Sequence, residues 1–178
     1  MNLLKKILQL NKYQLGVQFF APVLIAFLLY TLTMKLTGFI VFQFFIEIFV
    51  LWHFSIGLTL SRNDESPRQR NIFIFNMLFA LLYRMSSNAY QIWYRTSFGV
   101  FPELESMLWL TPIHFYASLG SIYCFYQNSK WIIESEKRLG LHDLDGLRKT
   151  FWQILVFPVG IWLVQPRLNR ISASMRLA

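Results

Sequence analysis

The sequence predicts an all-α integral membrane protein built on four transmembrane helices, and three observations carry that prediction. Hydrophobic residues make up 55% of the 178-residue chain and aromatic residues 18%. Charged residues make up only 15%, against about 25% in ordinary soluble domains, and the mean hydropathy is +0.41. Several apolar runs reach the roughly 20 residues needed to cross a bilayer as a helix. Eighteen Phe, eight Tyr and six Trp are more than a small aqueous surface can hide, whereas lipid solvates them. Alternation at period two is missing, which argues against a transmembrane barrel.

In chain order, residues 1–14 form an amphipathic segment: Leu3, Leu4, Ile7 and Leu8 share one helical face, opposite Lys5, Lys6 and Lys12. This pattern suits a helix lying on an anionic leaflet. No small-residue cleavage site follows it, so the segment is expected to be retained. Residues 15–127 form the bundle, with spans at about 15–34, 39–60, 72–94 and 106–126. Residues 35–38 make a tight turn, and residues 61–70 a polar loop. Trp93, Tyr94 and Arg95 close the third span as an aromatic belt at a membrane face. Residues 128–150 form a water-facing cytoplasmic segment, helical to about Leu139. Residues 151–178 combine an apolar run too short to span with a basic tail, predicting a re-entrant or interfacial elbow in which Pro158, Gly160 and Pro166 set the turns.

Cation placement orients the bundle. With the N-terminus inside, fourteen of the seventeen Lys and Arg residues fall on the inner side. The positive-inside rule then gives an N-in, C-in topology, expected in a bacterial cytoplasmic (inner) membrane. The formal charge of +8 is read as topology and attraction to anionic headgroups rather than nucleic-acid binding.

The third span carries Asn76, Arg84, Asn88 and Gln91 on one helical face. A charged side chain at membrane depth costs at least ~2.5–3.5 kcal/mol and must face protein or a wet cavity. At ~1.5 Å per residue, Glu47 and His114 each lie ~12 Å below the outer face and Arg84 ~11 Å below it. Glu47, Arg84 and His114 are therefore expected to form one intramembrane polar layer, supported by Asn76, Asn88, Gln91, Ser118 and Ser121. The layer has two readings: an ion pair that sets helix register, with His114 bonded beside it, or a proton- or ion-handling site. Arg84→Ala is expected to harm assembly under either. His53 is assigned a local hydrogen bond with Asn76, and His142, Asp143 and Asp145 a solvated loop. A haem bridging His53 and His114 is disfavoured because their estimated depths differ by ~8 Å. Neither a phosphate-cradling loop nor a zinc motif is present, and the single Cys124 has no partner. No catalytic residue, cofactor or metal is assigned.

These features lead to a non-enzymatic subunit of an inner-membrane complex, with other membrane subunits or further copies of itself as partners. The alternative is a homo-oligomeric channel or an ion- or proton-coupled transporter using the Glu47–Arg84–His114 layer. A membrane-embedded lipid-modifying enzyme ranks third.

Overall fold

The computed structural model describes residues 25, 28, 36–61, 66–103, 105–141, 145–156 and 159–177. The amphipathic segment and nearly all of the first expected span lie outside these residues, as do His142, Asp143 and Pro158. The described residues are helical throughout, with no strand among them: α1 (Leu36–Leu60), α2 (Pro67–Phe98), a 3-10 turn (Glu105–Leu110), α3 (Thr111–Arg138), α4 (Leu147–Leu155) and α5 (Val159–Leu177). Helices Phe39–Leu60 and Pro67–Phe98 are long and apolar enough to cross a membrane.

Local chemistry sets the boundaries. Pro67 occupies the first turn of α2, where its missing N–H has no helical partner to lose. Gly99 ends that helix in the left-handed region (φ 76°) and donates its N–H to the Arg95 carbonyl. Pro112 sits in the first turn of α3, so this helix starts at a proline without a kink. Two sequence expectations change here. Helix α1 begins at Leu36, inside the segment read as a turn. Pro166 lies within α5 rather than in a turn, removing one backbone donor from that helix.

Helices α1, α2 and α3 pack pairwise against one another. Phe73, Met77 and Ala80 point inward from α2 at steps of four and three. Phe73 is wedged between α1 and α3: its ring meets Trp131 at 5.1 Å, and a Cβ on Gly57 would fall 2.0 Å from its Cζ. Gly120 gives a similar close approach, with Asn76 Oδ1 only 2.7 Å from where a Cβ would stand. Such small-residue contacts let helix backbones approach where lipid supplies no hydrophobic drive for association. At the far end, Phe101 joins α2 to α1 by packing on Phe39 (5.2 Å), with the Arg95 guanidinium 5.2 Å above its ring.

Helix α3 changes character along its length. Its first half buries only Ala117, Gly120 and Cys124, while Ile113, Phe115, Leu119 and Ile122 are exposed. Its second half buries Gln127, Asn128, Ser129, Trp131, Ile132, Ser135 and Glu136. The reason is that α4 and α5 fold back on this half, adding a second layer of helices. The segment after residue 127 is helical to Arg138, as expected, and it has a mixed surface: Asn128, Ser129, Ser135 and Glu136 are buried, whereas Lys137 and Arg138 are exposed. Burying the Gly57 contact with a methyl group should be felt: Gly57→Ala is expected to lower stability by about 1–3 kcal/mol. Adding Phe73→Leu should restore part of that loss, measured as the thermal midpoint of the detergent-purified chain.

Candidate functional site

The polar residues assemble into three clusters, of which the expected layer is one. Arg84 Nε on α2 donates to Glu47 Oε1 on α1 at 3.1 Å, and Asn88 Nδ2, one turn further on, approaches the same oxygen at 3.4 Å. The pair is partly enclosed, with 17% of the Glu47 side chain and 32% of the Arg84 side chain exposed. Among the described residues, Glu47 Oε2 is buried without a partner. The carboxylate thus holds two donors on one oxygen and leaves its other oxygen open.

His114 does not join this pair. Its Nδ1 lies 3.1 Å from the Tyr83 hydroxyl. Tyr83 precedes Arg84 by one residue, so it faces about 100° away around α2. The supporting stripe also disperses. Asn76 donates to its own helix at the Ile72 carbonyl, Gln91 to Ser87 Oγ, and Ser121 to the Ala117 carbonyl, while Ser118 is exposed. Only Asn88 reaches the ion pair. Beside Tyr83 lies an open groove of about 160 Å³, lined by Tyr83, Ser86, Ser87, Tyr90, Trp109 and Leu110.

The second cluster surrounds His53. The assigned bond to Asn76 is replaced by one from α3: Asn128 Nδ2 donates to the His53 carbonyl at 3.0 Å and lies 3.4 Å from Nδ1. Phe49, Trp52 and Phe125 close around the imidazole at centroid distances of 4.3, 4.9 and 4.4 Å. Asn76 donates instead to its own helix, at a close approach to Gly120. His53 and His114 therefore occupy separate surroundings. Among the described residues, no group of three or more His, Cys, Asp or Glu could hold a metal ion.

The third cluster, which sequence reasoning missed, centres on a buried ion pair. Arg167 on α5 grips Glu136 on α3 with two parallel bonds, Nε to Oε1 at 2.7 Å and Nη2 to Oε2 at 2.6 Å. Only 5% of the arginine side chain and 3% of the glutamate side chain remain exposed. Nη1 donates to Thr150 Oγ1 at 2.9 Å and Gln153 Oε1 at 3.1 Å, both on α4. These bonds can use four of the five guanidinium donors. Gln153 passes the connection on, donating to Asp145 Oδ2 at 2.8 Å, and Lys149 pairs with Asp145 at 2.7 Å. Two cations and two carboxylates balance, as burial requires. A neighbouring bond ties α5 to α1: Trp52 Nε1 donates to Gln165 Oε1 at 3.2 Å, and Gln165 donates to Asn169.

A signal for this cluster does exist in the sequence. Ile161, Val164, Leu168 and Ile171 recur at three, four and three, and all are buried. Arg167 lies three residues after Val164 and four before Ile171, so the same stripe points it inward. An inward arginine needs an acid, and Glu136 follows the aromatic and apolar positions of α3.

Asp145 titrates below the ordinary carboxyl value of 3.8, first because Lys149 and then Gln153 donate to it, aided by the positive charge of Lys149 and Arg167. Its stabilising contribution is therefore complete above pH 3.8 and is lost as pH falls through the lowered value. The thermal midpoint of Asp145→Asn should lie below that of the parent chain at neutral pH, and the gap should close in acid below pH 3.8. For the buried pair, Glu136→Ala removes both forked bonds to Arg167, leaves only Asp145 at 3.7 Å as a counter-ion, and should cost about 3–5 kcal/mol. Glu47→Ala should cost less, because its pair is more open. Chemical or thermal unfolding of the two variants measures the difference.

Comparison with protein-family models, curated proteins and solved structures finds no match to this chain, so its function is argued from the geometry above.

Proposed function

We propose that the chain is a non-enzymatic subunit of a membrane complex, inserted as a four-span N-in, C-in bundle in a bacterial inner membrane. The N-terminal segment lies on the inner leaflet in this reading, and the 151–178 segment forms an interfacial elbow. One observation carries it. Helix Pro67–Phe98 is apolar enough to cross a bilayer, yet only 17% of its most apolar window is covered by the rest of the described chain. Phe75, Leu78, Leu82 and Met85 stand exposed on α2, as do Phe115, Leu119 and Ile122 on α3. Contiguous apolar surface of this kind marks lipid or protein contact. The two interhelical ion pairs support a structural role, because each charge is answered within the chain instead of being presented to a passage.

A homo-oligomeric channel or an ion- or proton-coupled transporter is the second reading. It is favoured by the unpartnered, buried Glu47 Oε2 beside Arg84. An ionisable group inside the membrane is a functional candidate by default.

Purification of the tagged chain in nanodiscs, with mass and co-purifying proteins determined, separates the two. The subunit reading predicts a foreign membrane protein at fixed stoichiometry and loss of this chain when that partner is deleted. A pure homo-oligomer whose proton flux falls with Glu47→Gln would overturn it in favour of the second reading.

A further inference from the structure

We propose that the outward face of α4 is a docking surface for anionic phospholipid headgroups, which lays this helix on the inner leaflet. The proposal rests on the membrane reading above and adds a specific lipid-contact site to it. Helix α4 has nine residues and two faces. Thr150 and Ile154 are fully buried. Arg148, Lys149 and Trp152 are exposed, together with Val156 just beyond the helix end. Positions 148 and 152 are one turn apart, and 149 neighbours 152 at three residues, so these side chains form a single outward stripe. The Lys149 side chain is 67% exposed, Trp152 52% and Val156 50%, which puts cations and an apolar edge side by side. A bilayer interface offers that same succession, phosphates above and acyl chains below, and Trp is enriched at this depth.

The stripe cannot simply roll inward. Arg167 holds the opposite face of α4 through Thr150 and Gln153. The exit from α4 is equally constrained: the Gly160 N–H donates to the Val156 carbonyl, and a Cβ on Gly160 would lie 1.9 Å from the Gln153 carbonyl oxygen. These contacts fix the start of α5 against the end of α4, where Val156 is exposed. Charge favours anionic lipid. Asp145 pairs with Lys149, but exposed Arg148 is joined at this end of the bundle by exposed Lys137 near the end of α3. Glu134 is already engaged by Lys130 at 3.8 Å. Basic groups near an anionic leaflet are attracted within about a Debye length.

The test uses the full chain in a Cys124→Ala background, spin-labelled either at Val156→Cys or at Leu82→Cys on the exposed face of α2. Collision with oxygen and with a water-soluble nickel chelate is measured in nanodiscs of phosphatidylcholine, with and without phosphatidylglycerol. The Leu82→Cys label should report hydrocarbon in both lipids. The Val156→Cys label should report headgroup depth and move toward lipid when phosphatidylglycerol is present. Arg148→Glu should reverse that movement, with a shift of about five-fold in the label's lipid-to-water population. Should that variant fail to fold, the lipid comparison on the chain with Arg148 intact still decides. A Val156→Cys label in water in both lipids, with the Leu82→Cys label in hydrocarbon, overturns this proposal and leaves the membrane reading standing. A label at headgroup depth that ignores phosphatidylglycerol overturns the anionic assignment. Shielding from both relaxants in either lipid marks a protein cover and overturns it too. A Leu82→Cys label in water overturns the membrane reading itself.

Discussion

The two-bonded grip of Arg167 on Glu136 is the constraint on which the α3–α4–α5 end of the bundle depends. Neither charge could be buried alone, since an uncompensated ion in a low-dielectric interior carries a penalty of several kcal/mol. Buried together, they fix the distance and rotation of α5 against α3, because a planar guanidinium accepts a carboxylate in a fork only in one orientation. The remaining nitrogen then reaches α4 through Thr150 and Gln153, so one side chain orders three helices. The polar second half of α3 can be enclosed because α4 and α5 are held against it.

The end of the bundle toward Phe98 works by different physics. There α1, α2 and α3 meet in fewer contacts, Phe39 against Phe101, Phe79 against Tyr116 and the Tyr83–His114 bond. Their other faces remain apolar and uncovered. The Glu47–Arg84 pair crosses this thinner region with a share of its surface open, and it ties only two helices. Among the described residues, one end is thus enclosed and the other presents apolar surface. A subunit reading draws on that asymmetry: the enclosed end organises the fold, and the uncovered end offers surface to lipid or to a partner.

How much of this was legible follows from which coordinate each feature needs. Helices α1 and α2 announce themselves as long apolar runs, and their lengths need no tertiary information. The meeting of Glu47 with Arg84 needs only that two consecutive helices run antiparallel, because depth then follows from residue count. His114 has a suitable depth as well, but its bond to Tyr83 depends on rotation about α3, which residue counting does not supply. Residue count pairs His53 with Asn76, whereas its partner is Asn128, in a stretch whose polar and charged composition reads as water-facing; Glu136 lies in that same stretch. Between Lys130 and Lys149 both signs of charge alternate, a pattern that ordinarily marks a wet surface. Its burial follows from α4 and α5 folding back, a long-range event prompted by the buried stripe of Ile161, Val164, Leu168 and Ile171.

The claim that the Arg167–Glu136 pair ties the α4–α5 layer to the bundle is tested most directly by hydrogen exchange of the full chain in nanodiscs, comparing the parent with Glu136→Gln. This change keeps the side-chain shape and removes the charge. The account predicts faster exchange at the amides of α4 and α5, with the amides of α1 and α2 left at their parental protection. Unchanged protection in α4 and α5, or an equal loss throughout all five helices, would contradict it.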